Sequence, residues 1–229
     1  MVLLHGLFGQ LSNWDSVVNQ FSEDYDVYVP SLPIYDTPKE DPLYYLVEFL
    51  EDYVAANKLR DIILIGNSLG GHVAILYTAR NGDNVKNLIL TGSSGLYENT
   101  TMGSFPKRST ADYIRERVEY TFHNPAVATT ELVEQVLTIT TNNQKCLGVL
   151  RVAKSAQRHY VADLLPGIAT PTLLIWGQDD RITPVNVAHE FANTIPDTKL
   201  VVLNECGHAP MMEKPGEFNL ALQHYLHTN

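Results

Sequence analysis

Six short apolar runs recur along the chain, Val2–Leu4, Asp26–Val29, Ile62–Ile65, Leu88–Thr91, Thr172–Trp176 and Leu200–Leu203, separated by longer amphipathic stretches. A strand covered on both faces reads as a continuous apolar run, whereas a helix lying on a sheet carries apolar residues three and four apart. The alternation predicts an α/β fold, a mostly parallel sheet flanked by helices. Helical spacing falls on Trp14–Phe21, Leu43–Asn57, Leu69–Asn81, Val185–Ala192 and Glu217–Leu226, with Asn13 and Pro215 as start signals.

One segment breaks the rhythm. From about Ser94 to Pro166 no strand-like run occurs, but Thr110–Phe122, Thr130–Thr140 and Asn142–Tyr160 carry helical periodicity. The expected organisation is a first part of the α/β core at 1–93, an inserted helical cap at 94–166 and a second part of the core at 167–229. An insertion of this length reads as a functional lid rather than a loop.

Composition narrows the partners. Sixteen Lys and Arg stand against twenty-six Asp and Glu, a net charge of −10 that repels phosphate backbones and anionic lipid headgroups. Nucleic acid and membranes are therefore not expected as partners. Cys146 and Cys206 have no metal-type spacing, so neither a disulfide framework nor a structural zinc is expected, and a reducing, cytoplasmic setting is. No apolar run is long enough to span a bilayer and no basic segment precedes one at the start, so the chain reads as soluble and not exported in this form.

The chemistry concentrates after the third run. Ile62–Ile65 leads into Gly66-Asn67-Ser68-Leu69-Gly70-Gly71 and then into the helix-compatible His72–Ala79. A G-x-S-x-G between strand and helix is a nucleophile elbow, in which glycines leave room for a sharp turn that holds the serine strained and exposed. The backbone N–H of Leu69 opens the helix and favours a developing oxyanion there. A second donor is expected from the turn in His5-Gly6-Leu7-Phe8-Gly9, with Leu7 preferred and Phe8 the alternative.

A serine hydroxyl needs a histidine base, and that base needs an acid to fix its tautomer and stabilise its charge. Of eight histidines, His208 is best placed, in a loop after the last run; His5 is read as a brace for the oxyanion turn, and His123 and His159 as candidates for the pocket wall. The acid belongs after the fifth run, where Gly177-Gln178-Asp179-Asp180 offers two adjacent carboxylates; Asp180 is chosen and Asp179 is left to the turn. The order Ser68, Asp180, His208 is that of α/β-hydrolases and not of trypsin-like or subtilisin-like proteases.

These four segments, His5–Gly9, Gly66–Gly71, Gly177–Pro184 and Gly207-His208, resemble the signature segments of α/β-hydrolase fold enzymes over Val2 to about Leu226. The resemblance implies serine hydrolase activity with no metal or cofactor. Thr121–Ala126 and Thr130–Glu134 in the cap further resemble carboxylesterases and meta-cleavage-product hydrolases, which split carbon–carbon bonds. Two departures stand out. Members usually carry two more strands and a hairpin before the His-Gly strand, whereas Met1 begins almost inside it; either the start is trimmed or the protein does without them, which would leave Asp26–Val29 as an edge strand. Leu32–Asp36 also stands where relatives usually have a glycine-rich turn.

The expected activity is hydrolysis of a small or medium carboxylic ester, a small-molecule partner; oligomeric state is not legible. Phe8, Phe105 and Met212 are expected to bind substrate, with Tyr97, Met102, Tyr113 and Leu147 as further apolar candidates for the wall. Lys107, Arg108, Arg151 and Arg158 are candidates to meet a substrate carboxylate. The alternatives are carbon–carbon hydrolysis of a vinylogous diketo acid, which requires a cation in the pocket, and a binding protein that retains only the scaffold.

Overall fold

The computed structural model describes residues 1–9, 14–99 and 110–228. Its elements follow the apolar pattern: β1 (Val2–Leu4), α1 (Asp15–Phe21), α2 (Pro42–Ala56), β2 (Ile62–Asn67), α3 (Leu69–Asn81) and β3 (Val85–Thr91), then α4 (Ala111–Thr121), α5 (Thr130–Thr141) and α6 (Asn143–Ala156). The chain returns through β4 (Thr172–Gly177), α7 (Val185–Thr194), β5 (Thr198–Leu203), α8 (Pro210–Glu213) and α9 (Pro215–Thr228). The short α8 has no counterpart in the periodicity.

The strands form one parallel sheet in the order β1-β2-β3-β4-β5. Side chains alternate across it. Leu4, Leu64, Leu88, Leu90, Leu174 and Trp176 pack with α2, α3 and α7, while Leu3, Ile63, Ile65, Ile89, Leu173 and Ile175 pack with residues of α1 and α9. Covering both faces is what makes the runs uniformly apolar; each fully buried Leu or Ile contributes about 1.5–3 kcal/mol by leaving water. Parallel strands in this order bring β1, β2, β4 and β5 to a common C-terminal edge, where the candidate site segments begin.

Asp26–Val29 corrects the expected strand count. It pairs with β1 only through a bridge at Tyr28, with Tyr28 N–H donating to Met1 O and Leu3 N–H to Tyr28 O, both at 2.9 Å. Continuing the ladder would require an N–H from the next residue but one, and that residue is Pro30, which has none.

The three helices between β3 and β4 are each started by a side chain that accepts a backbone N–H: Thr110 from Tyr113, Thr129 from Leu132 and Asn142 from Lys145. Two of their ties to the rest of the chain run through the backbone of α2 and of the His208 loop. Leu43 N–H donates to Ser155 Oγ at 3.3 Å, and His208 N–H donates to Thr121 O at 2.9 Å. Among the described residues no helix is long and apolar enough to cross a membrane.

Candidate active site

The site is built from the turn after β2. Ser68 has φ 54° and ψ −120°, a conformation that L side chains seldom adopt and that persists only when its surroundings over-determine it. They do so here. Ser68 N–H donates to Thr91 O at 3.2 Å, and Ser68 O accepts from the N–H groups of Gly71, His72 and Ser94 at 3.0–3.2 Å. The flanking glycines are sterically required: a Cβ on Gly66 would lie 2.4 Å from Gly70 O, and one on Gly70 would lie 2.3 Å from Leu4 O.

Asp180, after β4, has a fully buried side chain. Its Oδ1 accepts from the N–H groups of Ile182 (2.8 Å) and Thr183 (2.9 Å), and its Oδ2 accepts from Thr183 Oγ1 (2.9 Å) and from His208 Nδ1 (2.9 Å). Trp176 Nε1 donates to Thr183 O at 2.8 Å and braces this loop from the core. Burial works against a charge on His208, but the charge and hydrogen bond of Asp180, with the charge of Glu98, outweigh it and hold the imidazole pKa above its ordinary value. The adjacent Asp179 turns outward to His123 Nδ1 at 3.1 Å.

Ser68 and His208 line one cavity of about 330 Å³, without a hydrogen bond between Ser68 Oγ and the imidazole in this structure. Leu7, Phe8 and Leu69 line it too. Neither the Leu7 nor the Leu69 backbone N–H takes a partner among the described residues. His5 braces their turn: its Nε2 accepts Leu32 N–H at 3.0 Å, which leaves Nδ1 to donate to Gly6 O at 2.8 Å, and burial lowers its pKa and keeps the ring neutral.

A model of the alpha/beta hydrolase family matches residues 1–221. The chain belongs to this family. Among its relatives, a 2-hydroxy-6-oxononadienedioate/2-hydroxy-6-oxononatrienedioate hydrolase from Pseudomonas sp. is 24% identical over 99% of this chain and 87% of its own. A pimeloyl-[acyl-carrier protein] methyl ester esterase from Nitrosomonas europaea is 27% identical, covering 95% and 92%. Among solved structures, an alpha/beta hydrolase enzyme from the metagenome of sediments of the lagoon of Mar Chica, Morocco, superposes with a TM-score of 0.80 at 35% identity, covering 99% and 90%. The named relatives are hydrolases, and the parallel sheet with its flanking helices is the α/β-hydrolase fold.

The hydrolase's cavity wall differs in part from expectation. Phe8, Tyr113 and Met212 line it. Tyr97 and Leu147 are half exposed and stand outside it, as do His123 and His159. His159 instead packs its ring edge-on against Tyr44. Phe105, Met102, Lys107 and Arg108 lie outside the described residues, as does Asn13. Arg151 and Arg158 do not reach the cavity, whereas Arg117, which the sequence reading passed over, does.

Two further residues escaped that reading. Asn67 Nδ2 donates to Thr91 O (3.0 Å) and His208 O (3.1 Å), joining the end of β2 to the histidine loop. Glu213 accepts from the N–H groups of Gly207 (2.6 Å), His123 (3.2 Å) and Asn124, so one carboxylate fastens the histidine loop to the segment after α4. The neighbouring Cys206 is inert as a thiolate, because burial first and the Glu213 charge second push its pKa up to about 12.

Proposed function

We propose that the protein is a serine hydrolase that cleaves small or medium carboxylic esters through an acyl-enzyme. The observation that carries this reading is the strained Ser68 at the start of α3, sharing a cavity with a His208 whose Nδ1 is bonded to the buried Asp180. Ser68 Oγ adds to the ester carbonyl while His208 Nε2 takes its proton. Asp180 holds the proton on Nδ1 and stabilises the imidazolium. The Leu69 and Leu7 N–H groups, unclaimed among the described residues, receive the tetrahedral oxyanion, with Phe8 the alternative second donor. The carbon–oxygen bond then breaks and His208 returns the proton to the departing alcohol. Water, activated by the same imidazole, cleaves the acyl-enzyme to the free acid and restores Ser68. The gap between Ser68 and His208 does not conflict with these roles, since catalytic hydrogen bonds are often long before substrate binds.

The segment 94–166 acts in this reading as a cap that shapes the acyl pocket, because α4, α5 and α6 all supply wall residues. A reducing, cytoplasmic setting belongs to the same reading, in keeping with an acidic chain of two cysteines. The test is a panel of nitrophenyl acetate, butyrate and octanoate with the protein and with Ser68→Ala. Turnover that disappears in the variant supports the assignment; turnover surviving in it refutes Ser68 as nucleophile. Carbon–carbon hydrolysis is the second reading, favoured by the cation at Arg117 and by the hydrolase relative from Pseudomonas. Failure of every ester together with turnover of a vinylogous diketo acid would establish it instead.

A further inference from the structure

The cavity carries a charge that the ester chemistry leaves unused. Arg117, on α4, lines it among Ile114, Val118, Leu132 and Val136. Its Nε–H donates to Tyr113 Oη at 2.7 Å, and its guanidinium lies 4.7 Å over the Tyr113 ring, so the head group is held in place. Among the described residues its Nη1 has no hydrogen-bond partner and is closed to water, the cavity included, while Nη2, also unpartnered there, is not closed off. Among the described residues no carboxylate pairs with it.

An arginine does not shed its proton inside a protein, so this wall keeps a full positive charge. A ligand can meet only what water can touch, so the reachable donor is Nη2, and the aliphatic neighbours offer it no acceptor. A carboxylate is the group that fits, being an acceptor of opposite charge. The other acid and base of the wall set its orientation. Glu98 also lines the cavity and sits near enough to His208 to favour the imidazolium, so a second anion is disfavoured at the Ser68 end.

We propose that Arg117 forms a carboxylate subsite, so that the preferred substrates are short esters that also bear a free carboxylate, such as half-esters of dicarboxylic acids. The identity of the scissile bond rests on the ester reading; the subsite itself does not. In the bound pose the ester carbonyl lies at Ser68 and the free carboxylate reaches toward α4.

The experiment separates binding from turnover. Monomethyl glutarate and dimethyl glutarate are titrated calorimetrically into the Ser68→Ala protein. The half-ester is expected to bind roughly ten- to a hundredfold tighter, the worth of one hydrogen bond to a charged group. Adding Arg117→Met is expected to erase the preference, and Arg117→Lys to restore part of it, with melting temperatures checked for both; Arg117→Gln replaces the Met variant if that one fails to fold. Equal affinities, or a preference that survives the loss of Arg117, would overturn the subsite. The same two esters and the nitrophenyl esters given to the unaltered protein test the other reading: hydrolysis of none of them, with the binding preference intact, refutes ester chemistry and leaves the subsite standing.

Discussion

Replacing Asp180 by Asn probes the proposed mechanism without removing a side chain. Asn is nearly isosteric, and its carbonyl oxygen can keep the two bonds from Ile182 and Thr183 N–H at 2.8 and 2.9 Å. The amide nitrogen then replaces Oδ2, 2.9 Å from His208 Nδ1. A donor in that place forces Nδ1 to accept, which moves the ring proton to Nε2, the atom that must take the Ser68 proton. The wrong tautomer of a catalytic histidine lowers turnover about 10⁴-fold, about 5.5 kcal/mol in the barrier. Exchanging a charged for a neutral bond removes about 1–2 kcal/mol of stability, or about 2–8 °C in Tm for a chain of this size. The assay pairs kcat/KM on nitrophenyl butyrate with a thermal melt, and Asp179→Asn is the control, since that carboxylate is half exposed and faces His123. Asp180→Asn within tenfold of the parent, or Asp179→Asn losing as much, would refute the assignment of the acid.

Catalysis needs neutral His208, and its pKa is raised, so kcat/KM is expected to climb with pH to a plateau through an inflection above 6.5. Glu98→Gln should move that inflection down, because one of the charges that favours the imidazolium is gone; an inflection unchanged in the variant contradicts this. The same raised pKa makes the His208–Asp180 pair most stabilising below the unfolded value, and the contribution fades as pH rises through the folded one. Glu213→Gln retains one acceptor oxygen but turns the other into a donor facing backbone N–H groups, costing about 1 kcal/mol on this partly exposed carboxylate. Its Tm is expected to fall by about 2–4 °C together with kcat, and an unchanged melt and rate would show that the tether is dispensable.

Much of the scaffold was legible because local and tertiary demands coincide. Ile62–Ile65 is aliphatic on both faces since β2 lies inside the sheet, and Gly66 and Gly70 mark an elbow too tight for a side chain. Asp180 stood out from Asp179 by its place in the loop, and it is the one with a buried side chain. Apart from the strand that Pro30 cuts short, what stayed hidden depends on distant chain. Asp26–Val29 has the composition of a strand, yet Pro30 lacks the next donor. Glu213 acts on N–H groups that lie 89 and 90 positions away, a separation no local pattern encodes. Arg117 sits beside the apolar stripe of Ile114 and Val118, and only the packing of α4 against α5 around the cavity decides that it lines that cavity rather than a solvated face.

The most direct measurement is covalent labelling with a fluorophosphonate, read by intact mass and then by peptide mapping. The account predicts one adduct per chain, located on Ser68, and none after Ser68→Ala. An unlabelled protein, or an adduct on any other residue, would contradict it.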